Sequence, residues 1–109
     1  MAKMGMVIGV KAEKLDEYKA LHAEPWPEMN AALKAANIHD YTIFLKEPEN
    51  LLFGVWDYRG IDYEGDMKRL GEREVTRRWL ALTDACQSPL GTAEPGEWWS
   101  FMSTVYHLD

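Results

Sequence analysis

Hydrophobic and polar positions change their spacing along the chain, and each spacing predicts one type of secondary structure. Residues 5–10, GMVIGV, form an unbroken apolar run that indicates a buried strand. From Ala12 onward, apolar and ring-bearing residues recur at steps of three and four, which places them on one face of a helix. The residues of that face are Leu15, Tyr18, Leu21 and His22.

Two prolines then interrupt the helical pattern. Pro25 and Pro27 would disrupt a helix interior, but proline is tolerated in the first turn of a helix, where its missing N–H has no partner. We therefore predict that one helix ends before Pro25 and that a second helix begins at the prolines. Its apolar stripe consists of Trp26, Met29, Leu33 and Ala36, and Asn37 is its stop signal.

The middle of the chain predicts a hairpin. Residues 38–45, IHDYTIFL, and residues 51–58, LLFGVWDY, are rich in β-branched and aromatic residues, which is typical of strands. The short connection KEPEN favours an antiparallel pairing of the two strands. Residues 60–71 contain three glycines among charged residues, and we expect a loop there with room for a short helix.

The last third predicts a helix, a loop and a final strand. Residues 73–86, REVTRRWLALTDAC, place apolar side chains on one helical face. Residues 87–97, QSPLGTAEPGE, are marked as a loop by proline and glycine. Residues 98–108, WWSFMSTVYHL, read as a closing strand, in which Trp98 and Trp99 would point to opposite faces.

The predicted order of elements is β-α-β-β-α-β, with the first helical segment broken at the prolines. This order is that of an α+β ferredoxin-like sandwich of the dimeric α/β-barrel type, an antiparallel sheet with helices on one face. We expect one domain over residues 1–109. The other face of the sheet needs a cover, which a second subunit, the C-terminal aromatic residues or both would supply.

Composition and charge exclude several classes of partner. The formal net charge is −6, and no stripe of lysine and arginine is present, so neither nucleic acid nor a membrane is an expected partner. No run approaches the length of about 18 apolar residues that a membrane span requires. The single cysteine, Cys86, cannot form an internal disulfide, and this usage favours a reducing compartment, the cytoplasm.

Metal, thiol and nucleotide chemistry have little support in the motifs. The three histidines, His22, His39 and His107, are far apart and show no metal-ligand spacing. Cys86 lacks a catalytic signature and is better interpreted as a small buried residue. There is no phosphate-binding glycine motif. We therefore expect neither a metal nor a cofactor.

The remaining candidate chemistry is acid–base catalysis. Tyr18 and His22 are one helical turn apart on the same face. Histidine has the side-chain pKa closest to neutrality, so it can both donate and accept a proton at working pH. Tyr41 lies in a predicted strand, with His39 two residues earlier on the same strand face. The alternative is that Tyr18 and His22 merely fill an amphipathic helix face.

Tryptophans offer a second kind of contact. The chain contains five tryptophans, and aromatic rings can fill a core, line a dimer interface or stack on a sugar. Trp26, between the two prolines, is interpreted first as a residue that attaches the helix junction to the core, and second as a wall of a sugar pocket. Of Trp98 and Trp99, one is expected in the core and the other towards solvent, a partner or a ligand.

Motifs along the whole chain resemble the L-rhamnose mutarotase family. EYKALH matches the family pattern E-Y-x-x-x-H, WPEM matches W-P-E-L, and RWLALTD matches W-W-x-x-M-T/A-D. The apolar first strand, the strand IHDYTIFL with its tyrosine, NLLFGV and the terminal VYHLD complete the similarity. The combination of Y-x-x-x-H with W-P-E shortly after it is specific for a chain of this size.

The resemblance implies an isomerase that interconverts the α and β anomers of L-rhamnose, in a homodimer without cofactor or metal. Carried over by position, the catalytic histidine is His22, and the sugar-binding tyrosines are Tyr18 and Tyr41, which would also help with the second proton. The family's Trp-Trp pair falls on Arg78 and Trp79, where Trp79 would face the 6-methyl group of a 6-deoxy sugar.

The sequence departs from the family pattern at two places that bear on the sugar. Arg78 replaces the first tryptophan of the pair, and the family's N-P-D-N-S-P loop is altered to CQSPLGTAEPGE. These changes leave room for another deoxyhexose such as L-fucose. Two other functions stay open: a non-catalytic dimeric sugar-binding domain, and a cofactor-free monooxygenase on the same fold.

Overall fold

The computed structural model describes residues 2–109, which form an antiparallel sheet packed against helices. The five strands are β1 (Ala2–Val10), β2 (Ile38–Lys46), β3 (Leu51–Tyr58), β4 (Gln87–Ser88) and β5 (Ser100–Met102). The helices are α1 (Leu15–Ala23), α2 (Pro27–Ala35), α3 (Tyr63–Glu72) and α4 (Glu74–Asp84), and a 3₁₀ turn at Ala12–Lys14 leads into α1. None of the helices within residues 2–109 combines the length and apolar character needed to span a membrane.

The sheet has the strand order β2-β3-β1-β4, and β5 also pairs with β1. All pairings are antiparallel. Two short strands share one edge of β1, because β4 pairs with residues 9–10 and β5 with residues 5–7. The predicted α+β ferredoxin-like class is confirmed.

Alternate strand residues form the core on the helix side of the sheet. Ile8, Leu52 and Ile38 are almost completely buried. They belong to two of three core clusters, and the third cluster joins α2 to α4 through Met29 and Val75. Truncation of such a buried aliphatic residue to alanine costs about 2–5 kcal/mol of stability, so these clusters hold the helices in place on the sheet.

The predicted helix junction at the prolines is confirmed. Helix α1 ends at Ala23, and α2 begins at Pro27, where proline occupies the first turn. Trp26 precedes it in an extended conformation, with φ −71° and ψ 124°. Asn37, the predicted stop signal, follows α2 with a left-handed φ of 66°.

Residues 60–71, expected as a loop with room for a short helix, are mostly helical, because α3 begins at Tyr63. Asp62 caps this helix by accepting a hydrogen bond from the backbone N–H of Gly65 at 3.1 Å. Asp66, in the first turn, is buried and accepts hydrogen bonds from Tyr58 and Asn37. These contacts to other parts of the chain outweigh the low helix propensity of glycine.

The prediction of a closing strand over residues 98–108 is wrong for most of its length. Only Ser100–Met102 pairs with β1, and the residues after it belong to no strand. Val105 and Tyr106 are exposed. Strand formation depends on neighbouring side chains that cover the apolar face, and the single chain offers no such cover to these residues.

Candidate active site

A cavity of about 410 Å³ lies between the helices and the helix side of the sheet. This volume is within the range of about 300–1,000 Å³ found for small-molecule sites. Five of the six side chains predicted to act on a sugar line it, and these are Tyr18, His22, Trp26, Tyr41 and Trp79. The walls are therefore mainly aromatic, with a few polar groups that can bind hydroxyls.

Helix α1 supplies two of these side chains and stacks them on each other. The rings of Tyr18 and His22 have their centroids 4.2 Å apart and an interplanar angle of 28°. Trp79 of α4 meets the His22 ring edge-on at 5.3 Å, and Trp26 meets Trp79 at 5.1 Å. The histidine is thus held between a tyrosine and a tryptophan that are themselves buried.

A single contact to the backbone determines which ring nitrogen of His22 carries the proton. Its Nδ1 lies 2.9 Å from the carbonyl oxygen of Tyr18. A carbonyl oxygen can only accept a hydrogen bond, so Nδ1 must carry a proton and donate it. In the neutral ring, Nε2 then holds the lone pair and is the atom able to accept a proton from a ligand.

Burial keeps both tyrosine hydroxyls protonated. It raises the pKa of Tyr18 to about 12, an increase that a hydrogen bond from Gln87 partly offsets. Burial also raises the pKa of Tyr41, and the nearby Tyr18 adds to this rise. At neutral pH, both side chains are therefore phenols that donate hydrogen bonds, and neither is a ready base.

Tyr41 comes from the sheet rather than from a helix. It lies on β2 with its ring edge-on to Trp56, at a centroid distance of 5.0 Å. A Cβ atom at Gly54 of β3 would meet both Tyr41 and Trp99 at 3.5 Å, an ordinary contact distance, so the two cavity-lining rings pack directly over this glycine.

Arg78, the sixth predicted residue, lies outside the cavity lining. Its guanidinium lies over the Trp26 ring at 5.6 Å from the ring centroid, and its Nη2 is 3.8 Å from a carboxylate oxygen of Glu28. The side chain is largely exposed. Arg78 therefore contacts the outer side of Trp26 and does not itself line the cavity.

Other residues complete the cavity wall, among them Trp99, one of the two tryptophans that the sequence offered for a ligand contact, and Gln87, which it did not single out. Trp99 lines the cavity and packs against two core clusters, although it precedes β5 and does not belong to a strand. Gln87, expected in a loop, is buried in β4 and also lines the cavity. No local spacing distinguishes either residue, because both reach the site through the path of the loop between α4 and β5.

The other candidate ligands and nucleophiles lie elsewhere. Within residues 2–109, no group of three or more histidine, cysteine, aspartate or glutamate side chains is placed to hold a metal ion. His39 lines a separate polar cavity, and His107 pairs with Asp109 at 3.0 Å. Cys86 is fully buried, as predicted.

Comparison with known proteins gives a consistent result over nearly the whole chain. The family model described as L-rhamnose mutarotase matches residues 3–108. The L-rhamnose mutarotase of Oceanobacillus iheyensis is 32% identical over 115 residues, which cover 100% of both chains. That of Bacillus subtilis is 38% identical over 79 residues, covering 72% of this chain and 73% of the relative.

A solved structure shows the same fold. The crystal structure of an L-rhamnose mutarotase from Formosa agariphila superposes with a TM-score of 0.78 and covers 100% of both chains. Its sequence identity to this chain is 19%, so this likeness supports the fold alone.

Proposed function

This chain belongs to the L-rhamnose mutarotase family, and from that membership we propose that it interconverts the α and β anomers of L-rhamnose or a related deoxy sugar such as L-fucose. It is accordingly a carbohydrate isomerase. The observation that carries the proposal is the match over residues 3–108, which includes the stacked Tyr18 and His22 in the cavity.

His22 is the proposed acid and base of the reaction. In its charged form, Nδ1 stays bound to the Tyr18 carbonyl while Nε2 carries a second proton, which it donates to the ring oxygen of the sugar. The bond between this oxygen and the anomeric carbon breaks, the anomeric hydroxyl loses its proton to water, and an open-chain aldehyde results. Rotation about the bond next to the aldehyde, followed by closure on its other face, gives the second anomer.

The same nitrogen serves ring closure. Nε2 of the now neutral His22 removes the proton from the attacking hydroxyl as the ring re-forms, and the aldehyde oxygen takes a proton back from water to become the anomeric hydroxyl. Positioned acid–base catalysis of this kind typically accelerates a reaction by about 10²–10⁴-fold. Because the cavity also holds the sugar against fixed side chains, orientation adds to this gain.

The tyrosines and tryptophans are proposed to hold the sugar. Tyr18 and Tyr41 stay protonated at neutral pH, so they donate hydrogen bonds to sugar hydroxyls rather than removing protons. Trp79 and Trp26 form an apolar wall against which a 6-methyl group can pack. Arg78 contributes indirectly, by its position over the Trp26 ring.

The proposed active form is a homodimer in which the open sheet face meets a second copy. Phe44, Phe53 and Val7 lie directly opposite one another on three adjacent strands. They share the face turned away from the helices, since Ile43 and Leu52, their neighbours in sequence, line the helix side. Phe44 is 60% exposed. Residues 103–109 add further exposed apolar side chains, as expected of a segment that packs against a partner.

The proposed location is the cytoplasm. The one cysteine of the chain is buried and unpaired, which suits a reducing compartment.

Anomer exchange measured by saturation-transfer NMR tests the function. Irradiation of one anomeric proton of L-rhamnose should reduce the signal of the other anomer faster with the protein than in buffer alone. L-Fucose and other pyranoses, measured in parallel, define the substrate. Failure of every sugar to exchange faster than its buffer control would overturn the mutarotase function and leave the non-catalytic sugar-binding domain. The family match and the named relatives favour mutarotation over that alternative and over a monooxygenase.

A further inference from the structure

We propose that Gln87 is a positioning residue, which directs the hydroxyl proton of Tyr18 towards the sugar, and that Trp98 fixes the orientation of the Gln87 amide. This inference rests on the proposed function and assigns a role to a part of the chain that departs from the family pattern. It concerns the loop between α4 and β5, which bends over the cavity.

Gln87 is unusually buried for a polar residue whose side chain does not bond to the backbone. It is only 3% exposed, on the short strand β4 that pairs with the end of β1. Its side chain lines the cavity beside Tyr18 and Trp99. A buried amide must be hydrogen-bonded to be tolerated, and both ends of this one have a partner.

The orientation of the amide follows from the chemistry of its two partners. The indole Nε1 of Trp98 lies 2.8 Å from one terminal atom of Gln87. An indole N–H can only donate, so this atom must be the amide oxygen. The amide nitrogen then necessarily faces the other way, where it lies 3.4 Å from the hydroxyl oxygen of Tyr18.

This orientation determines what the Tyr18 hydroxyl can do. An amide nitrogen only donates, so the phenol oxygen accepts from Gln87 and cannot give its proton to it. Within residues 2–109, the hydroxyl donates to no protein acceptor, and its proton is left for a sugar oxygen in the cavity. With the amide reversed, the Tyr18 proton would instead bind the Gln87 oxygen and be lost to the sugar.

The position of this donor connects it to catalysis. The Tyr18 ring stacks on His22, and the Tyr18 carbonyl fixes the tautomer of that histidine. A sugar oxygen held by the Tyr18 hydroxyl therefore lies next to the acid–base group. Gln87 acts through Tyr18 and has no part in proton transfer itself.

Three variants test the positioning role of Gln87 by anomer exchange with L-rhamnose. Gln87→Met keeps the side-chain volume but removes the donor, and Trp98→Phe keeps a ring but removes the indole N–H. Each should raise KM by about 2- to 10-fold, the effect of one net hydrogen bond, with kcat within about twofold. In a Tyr18→Phe background, Gln87→Met should have no further effect, because the group it positions is gone. A purely structural role would lower activity in both backgrounds.

A spectroscopic signature completes the test. The indole N–H of Trp98, observed by ¹⁵N NMR, should shift and exchange faster with solvent in Gln87→Met than in the wild type. Should Gln87→Met fail to fold by circular dichroism, Trp98→Phe carries the test, since Trp98 is 38% exposed and phenylalanine keeps an aromatic ring in its place.

The failures of the two proposals are distinguishable. Wild-type exchange at the buffer rate overturns the proposed function. Accelerated wild-type exchange, together with an unchanged KM in both single variants or an unchanged Trp98 indole resonance, overturns only the role of Gln87.

Discussion

Nδ1 of His22 lies 2.9 Å from the carbonyl oxygen of Tyr18, one helical turn earlier on α1. This contact occupies Nδ1 in both protonation states of the ring, so Nε2 is the nitrogen that remains available for proton transfer. The Tyr18 ring also stacks on His22. One residue thus fixes both the tautomer and the plane of the proposed acid–base group.

The first prediction is that His22→Ala lowers the rate of anomer exchange by about 10²–10⁴-fold, the usual contribution of a positioned acid–base group. The fold should persist, because His22 is only partly buried on the cavity wall. His39→Ala is the matched control, since His39 lies in a different cavity and its loss should leave the rate within about twofold of wild type. A wild-type rate in His22→Ala would refute the assignment.

A second prediction concerns alkaline pH. Burial raises the pKa of Tyr18 to about 12, whereas an unfolded chain has a tyrosine pKa of about 10. Above about pH 10 the unfolded state therefore loses protons that the folded state keeps, so this contribution to stability is present at lower pH and is lost as pH rises towards 12.

Tyr18→Phe should remove that part of the pH dependence. Urea unfolding at pH 8 and 11 should show a free energy of unfolding that falls less steeply in Tyr18→Phe, by on the order of 1 kcal/mol. Tyr106→Phe is the control, because it removes a tyrosine hydroxyl from a side chain that is exposed in the single chain. Equal slopes in Tyr18→Phe and the wild type would show that Tyr18 is not desolvated.

Local sequence signals account for the part of the site that lies on α1 and α2. The three- and four-residue spacing places Tyr18 and His22 on one face, and the prolines end one helix and begin the next. Both signals involve neighbouring residues only, so they could be interpreted from the sequence. The two strands of the hairpin follow from the same kind of local pattern. The expected shared face of His39 and Tyr41 does not, because a register shift between His39 and Thr42 interrupts the alternation of side chains.

Features that depend on distant contacts could not be predicted in this way. Helix α3 contains glycines, and its buried Asp66 is held by Tyr58 and Asn37, which come from other elements. The contact between Gln87 and Trp98 joins two ends of a loop with no regular spacing. The final strand is shorter than its sequence predicts. Its apolar side chains would need other side chains to cover them, and the single chain supplies none.

A third prediction tests the contact between Arg78 and Trp26. A cation over an exposed aromatic ring contributes about 0.5–1 kcal/mol, so Arg78→Ala should raise KM for L-rhamnose by about 2- to 5-fold through a less ordered Trp26. Arg77→Ala, an exposed neighbour on the same helix, is the matched control. A direct hydrogen bond from Arg78 to a sugar oxygen would instead give a larger loss than Trp26→Ala, and this would assign Arg78 to the binding site itself.

The fourth prediction concerns the homodimer. Phe44, opposite Phe53 on the open face of the sheet, exposes an aromatic ring where a second copy is proposed to pack. Phe44→Glu should place a carboxylate in that interface, where an unpaired charge is strongly unfavourable. We expect the wild type to sediment as a dimer at micromolar concentration and Phe44→Glu to sediment as a monomer.

Ile61→Glu provides the control for that experiment, because Ile61 is fully exposed in the connection between β3 and α3, outside the sheet. It adds the same charge and should leave the dimer intact. A monomeric wild type would refute the dimer, and a monomer in both variants would mean that added charge acts without regard to position. If only Phe44→Glu dissociates, its anomer exchange rate shows whether each cavity functions alone. A rate equal to that of the dimer would mean that one chain supplies every group the reaction needs.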